Sequence, residues 1–180
     1  MNRPHYDHAL VMRARDYAVQ AHGAQLYGIH PYVFHLDATV KVLMKMRADS
    51  STLAAGYLHD TLEDCIGVTM ANLREDFGMD VAKMVFNCTG QGTDRHSRMQ
   101  DKAQKISQCS TSALVALADR YANMNQCIED GNQSMLARYA NELPLFLPIF
   151  QGANRLMALE LMALASAAQP EMAHKFSLTE

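Results

Sequence analysis

Apolar residues recur along this chain at intervals of three and four, the spacing of a helical face, and no stretch alternates apolar and polar residues as a half-buried strand would. Pro4 can open a first helix, because its missing N–H is not needed in the first turn; Leu10, Ala14, Tyr17, Ala18 and Ala21 then carry that helix to His22-Gly23. Ala24–Tyr32, bounded by Gly23 and holding Gly28 and Pro31, reads as a turn-rich loop. Val33-Phe34-His35 leads into a second helix with Leu36, Val40, Leu43 and Met44 on one face. Ser50 or Ser51 can cap a third, from Thr52 to about His59. A polar turn over Thr61–Gly67 precedes a short helix capped by Thr69 and ended by Phe77-Gly78. A fifth helix carries Val81, Met84, Val85 and Cys88.

Thr89–Asp101 has few apolar residues and reads as a polar, ligand-facing loop. Leu114, Leu117, Ala118 and Tyr121 form the buried stripe of a long helix, on which Asp119 and Asn123 share another face. Gly131-Asn132 separates a helix over Gln133–Glu142, and Pro144 and Pro148 mark the start of a last helix rich in Ala, Leu and Met. The tail after Pro170 is expected to be loosely held. The expected fold is all-α: a compact single-domain helical bundle over residues 1–180.

Composition narrows the function classes. With 49% apolar residues the chain can bury its own core, and a net charge of −3 without a dense basic run argues against nucleic acid as a partner. Met1–His8 has no apolar signal region and no apolar run reaches membrane-spanning length, so a cytoplasmic protein with no membrane partner is expected. Cys65, Cys88, Cys109 and Cys127 lie far apart with no CxxC pair, as reduced core thiols do. The apolar C-terminal helix fits self-association into a homo-oligomer or a buried core helix equally well.

The chemistry centres on Gly56-Tyr57-Leu58-His59-Asp60-Thr61-Leu62-Glu63-Asp64, where an imidazole and three carboxylates follow an apolar run. Burying so many titratable groups is costly unless something compensates, and a divalent metal is the simplest compensator. His35, at the start of the second helix, and Asp119, mid-helix in Ala116-Leu117-Ala118-Asp119-Arg120, are polar side chains in similarly apolar settings. With His59 and Asp60 they would make a set of two nitrogens and two oxygens with positions left open for water and substrate.

A lone His, then His-Asp, then a distant Asp resembles the HD phosphohydrolase superfamily. His22-Gly-Ala-Gln25, Pro31-Tyr32-Val-Phe-His35, Leu58–Asp64, Phe77-Gly78 and Leu117–Met124 together resemble the hydrolase domain of the RelA/SpoT family, whose stand-alone members, the small alarmone hydrolases (the metazoan SpoT homologue type among them), have about this length. The resemblance covers residues 5–155. It implies an HD-type bundle holding one Mn²⁺ through His35, His59, Asp60 and Asp119, and removal of the 3′-pyrophosphate from a small nucleotide substrate, (p)ppGpp or (p)ppApp. It also implies water activation and proton transfer by Glu63 and Asp64, either of which could be the base. It places Asn123, and Tyr139 near it, at the nucleotide; Gln25 and Tyr27 of the loop, with Lys102 and Arg138, are the further candidate substrate contacts.

The chain departs from the family in one place. Basic residues usually follow the Gln of the His22–His35 loop; here Leu26 and Tyr27 stand there and the loop is about one residue short. Replacement cations are available at Arg95, Arg98, Lys102, Lys105 or Arg138, each of which also reads as a solvated surface charge. His22 either supports neighbouring groups or touches substrate, Arg120 is either an ion-pair partner or a phosphate contact, and Gly56 reads as a close-packing position. The alternative functions are an HD-type phosphatase of another phosphorylated nucleotide or metabolite, and a non-catalytic metal-dependent nucleotide sensor.

Overall fold

A computed structural model of the chain describes residues 6–168; Pro4, His5 and the tail after Pro170 lie outside them. The first helix, α1 (His8–His22), starts where the Asp7 carboxylate accepts from the Leu10 N–H. Two short strands follow, β1 (Leu26–Tyr27) and β2 (His30–Pro31), paired antiparallel with Tyr27 opposite His30. The segment read as a loop is therefore a tight hairpin. Gly28 makes it with φ +61°, a conformation that a side chain would resist.

Next come α2 (Val33–Lys45), α3 (Ser50–Leu58), the one-turn α4 (Thr61–Asp64), α5 (Met70–Phe77) and α6 (Met79–Cys88). The cap of α3 is Asp49, accepting from Thr52 N at 2.8 Å, so the helix begins two residues before the expected Thr52. The expected polar turn at Thr61 holds the single turn of α4 instead, with the Thr61 hydroxyl donating to the Leu58 carbonyl at 2.7 Å. The bundle is completed by α7 (Arg95–Ser107), α8 (Ser110–Glu129), α9 (Gln133–Ala153) and α10 (Arg155–Ala168).

The polar loop is only 89–94, because Asp94 and Ser97 form a reciprocal capping box that starts α7 inside it. Pro144 and Pro148 do not begin a helix; both lie within α9. Proline in a helix interior costs a hydrogen bond and a steric clash, but Ala140, Leu143, Phe146 and Phe150 continue one buried stripe through both prolines, and that packing holds the helix together.

Helix α3 is buried from Thr52 to Leu58 and sits at the centre, packed by α1, α2, α6 and α8. Gly56 allows its closest approach: a β-carbon there would fall 2.4 Å from Leu43 Cδ1. That approach is to the second half of α2, where Val40 is the next nearest side chain. On α10, Met157, Ala158, Leu161 and Ala165 are buried, as in the core-helix reading of that segment. Among the described residues no helix is long and apolar enough to cross a membrane.

Candidate metal centre

Three elements aim polar side chains at one buried point. His35 lies in the first turn of α2, His59 and Asp60 directly follow α3, and Asp119 lies midway along α8. Ligand-type atoms of His35, His59 and Asp119 all fall within 4.8 Å of one another. The two Nε2 atoms are 3.4 Å apart, and Asp60 Oδ2 stands 3.1 Å from His59 Nε2 and 3.6 Å from His35 Nε2. Asp119 Oδ1 is 3.4 Å and 3.5 Å from the same two nitrogens.

The donor set fits a cation. His59 Nδ1 lies 2.8 Å from the Gly56 carbonyl, which can only accept, so Nδ1 carries the proton and a neutral His59 turns the Nε2 lone pair inward. That lone pair meets a second imidazole nitrogen and two carboxylate oxygens in a buried place, an arrangement that repels itself unless positive charge enters it. Protons supply that charge where no ion does. Burial alone would lower the pKa of His59, yet Asp60 and Asp119 hold it well above the ordinary histidine value. Burial would raise Asp119, but Lys102 and the two histidines hold it well below the carboxylate range; Asp60 is likewise lowered, against its burial, chiefly by His59. His35, His59 and Asp119, with Asp60 beside them, can thus hold a divalent metal ion.

Around this point the other sequence-derived candidates divide. Lys102 is almost enclosed, its Nζ 3.4 Å from Asp119 Oδ2, so it belongs to the centre itself. Glu63 is partly exposed, 3.7 Å from Arg98; burial and the charges of Asp60 and Asp64 raise its pKa, while Lys102 and Arg98 oppose the rise. Asp64 Oδ2 accepts from Gln25 Nε2 at 3.1 Å, and Gln25 Oε1 lies 2.9 Å from His22 Nδ1. Tyr27 stacks on His35 with centroids 4.7 Å apart and donates its hydroxyl to Asn123 Oδ1 at 2.8 Å; the Asn123 amide in turn donates to Asp119. Tyr139 lies under the guanidinium groups of Arg95 and Arg120, its phenol pushed up to about 12 by burial and by Asp119. Arg138 is exposed on α9 and enters none of these contacts. Lys105 points elsewhere, to Asp101 and the face of Phe86.

Arg120 is buried and faces away from the centre, donating to Glu142 Oε2 at 2.7 Å; it is the ion-pair partner of the two readings given above. Sequence reasoning missed Tyr32. Its hydroxyl donates to Asp60 Oδ2 at 2.7 Å and lies 3.0 Å from Asp64 Oδ2, while its ring stacks on His22 at 4.1 Å. The available signal was its spacing, three residues before His35 at the mouth of the same helix.

The HD domain family pattern matches residues 14–175. A Brucella ovis protein named GTP pyrophosphokinase rsh is 33% identical over 131 residues, 68% of this chain and 17% of its own length. A Mycoplasma pneumoniae protein named probable guanosine-3′,5′-bis(diphosphate) 3′-pyrophosphohydrolase is 31% identical over 153 residues, 75% of this chain and 21% of its own. The chain therefore spans about a fifth of the length of these curated relatives. Among solved structures, a metazoan SpoT ortholog described as hydrolysing ppGpp superposes with a TM-score of 0.79 at 22% identity, covering 91% of this chain and 98% of that one. That likeness extends the shared fold over nearly the whole bundle.

Proposed function

The chain belongs to the HD domain family, and on that premise we propose that it is a Mn²⁺-dependent phosphohydrolase that removes the 3′-pyrophosphate from (p)ppGpp, (p)ppApp or both. The observation that carries this reading is the inward convergence of two imidazoles and two carboxylates, with Glu63 and Asp64 one helical turn away. The Mycoplasma pneumoniae relative carries the matching activity in its name.

A divalent ion held by His35, His59, Asp60 and Asp119 would supply charge neutralisation at the phosphoryl group and a more acidic water. The protein's own side chains do the rest. Glu63, with its raised proton affinity and partial exposure, takes the proton of the attacking water. Asp64, tied to Gln25 and beside Tyr32, holds that water in line. Lys102 and Arg98 share one face of α7 and present positive charge beside Asp119 and Glu63, where the phosphoryl oxygens would lie. Tyr27 and Asn123 form a polar and aromatic wall over His35, suited to the nucleoside.

Timed hydrolysis of ppGpp and ppApp with Mn²⁺ and with chelator, products resolved chromatographically, tests this. Metal-dependent pyrophosphate release is the expected result, and no turnover of either nucleotide would sink the proposal. One observation favours a second reading: Tyr27 lies flat over His35 where a basic clamp would reach out, which narrows the approach and suits a nucleotide phosphate monoester. Release of phosphate in place of pyrophosphate would select it.

A further inference from the structure

Tyr32 has one hydroxyl proton and two carboxylate neighbours. Its oxygen is 2.7 Å from Asp60 Oδ2 and 3.0 Å from Asp64 Oδ2, and only one of the two can receive the proton. The oxygen of Asp60 involved is the one that faces both histidine Nε2 atoms. Asp64 receives a separate donor, the Gln25 amide, which His22 orients from its other end. His22 also stacks on the Tyr32 ring at 15° between planes, so the phenol cannot easily tilt away.

We propose that Tyr32 is a positioning residue that couples the metal-binding carboxylate Asp60 to the water-orienting carboxylate Asp64. The inference rests on the phosphohydrolase reading given above. Without the hydroxyl, two negative oxygens face each other across the space it fills, and each is displaced by the other. With the hydroxyl present, the proton screens them. The hydroxyl thus holds the Asp60 oxygen where it faces both histidines and Asp64 at its own distance from it, so that losing it moves Asp60 away from the place where a cation would meet it. Among the described residues no other side chain is hydrogen-bonded to both carboxylates.

The test is a double-mutant cycle read by Mn²⁺ titration calorimetry on the full chain, with no nucleotide present. Tyr32→Phe keeps the ring and its stack on His22, and melting of the metal-free proteins checks that each variant folds. Loss of a hydrogen bond to a metal-ligating carboxylate typically weakens metal binding by about tenfold or more, and about tenfold is expected for Tyr32→Phe in the native background. In an Asp64→Asn background the repulsion is already gone, and the same change should cost about threefold or less. Equal losses in both backgrounds, or no loss in either, would overturn the coupling. Gln25→Leu removes a donor from Asp64 and none from Asp60, and with His22 still stacked on Tyr32 it should leave Mn²⁺ affinity within about twofold; a tenfold loss there would also count against Tyr32 as the link. Turnover adds a second readout, with kcat of Tyr32→Phe falling while KM holds. Absence of pyrophosphate release by the native chain would remove the proposed reaction and leave the metal cycle readable, so the two ideas fail separately.

Discussion

Asp119 and Arg120 are neighbours on α8, yet each heads a different kind of buried charge cluster. Around Arg120 the charges close on themselves. Glu142 accepts from both Arg95 and Arg120, and the Arg120 guanidinium is sandwiched by Tyr139 and Phe146 at 4.7 Å and 5.1 Å. Around Asp119 they do not close: two carboxylates and two inward imidazole nitrogens meet there, and among the described residues Lys102 is the one Lys or Arg paired with any of them, through Asp119. The balanced cluster ties α7, α8 and α9 together, and the other has the donors to take a cation. Charge burial by itself distinguishes neither; completeness of pairing does.

The contrast can be broken from either side. Asp119→Ala should abolish Mn²⁺ binding by calorimetry and reduce phosphohydrolysis to background. Arg120→Ala should do the reverse, costing about 3 kcal/mol in denaturant unfolding because Glu142 keeps only a partly exposed partner, while metal affinity changes little. Glu63→Gln should retain metal and lower kcat about 100-fold or more, the usual scale for a proton-transfer group; unchanged turnover would sink that role. The smallest effect is in acid. The folded pKa of Glu142 lies below its ordinary 4.5, lowered against its burial by Arg95 and then Arg120. Its contribution is therefore complete above about pH 4.5 and lost as pH falls through the depressed folded value. Glu142→Gln should flatten that acid limb of the stability curve.

Much of this was legible in the sequence, and the residues show why. Helical spacing and apolar runs reveal the bundle, and titratable groups in apolar settings reveal His35, His59, Asp60 and Asp119 as a convergent set, because burying such groups is expensive wherever it happens. Local chemistry misled where packing or capping overrode composition. The polar run before Asp101 hid a capping box at Asp94, and the prolines of α9 are carried by Leu143, Phe146 and Phe150, whose partners are distant in sequence. Tyr32 escaped for a different reason. A tyrosine among apolar neighbours looks like core, and only the fold brings Asp64 to its hydroxyl.

The residues proposed to hold the ion come from α2, from the end of α3 and from α8, segments well separated along the chain. An unfolded chain cannot offer them together, so an ion taken up there is bound by the native state alone and its binding energy adds to folding by mass action. At a free concentration 100 times the dissociation constant this is about 2.7 kcal/mol, or roughly 5–10 °C in melting temperature for a chain of this size. Chelation should lower the melting temperature by about that much in the native protein and leave Asp119→Ala unmoved. The supply of metal would then govern how long the protein survives as well as how fast it works.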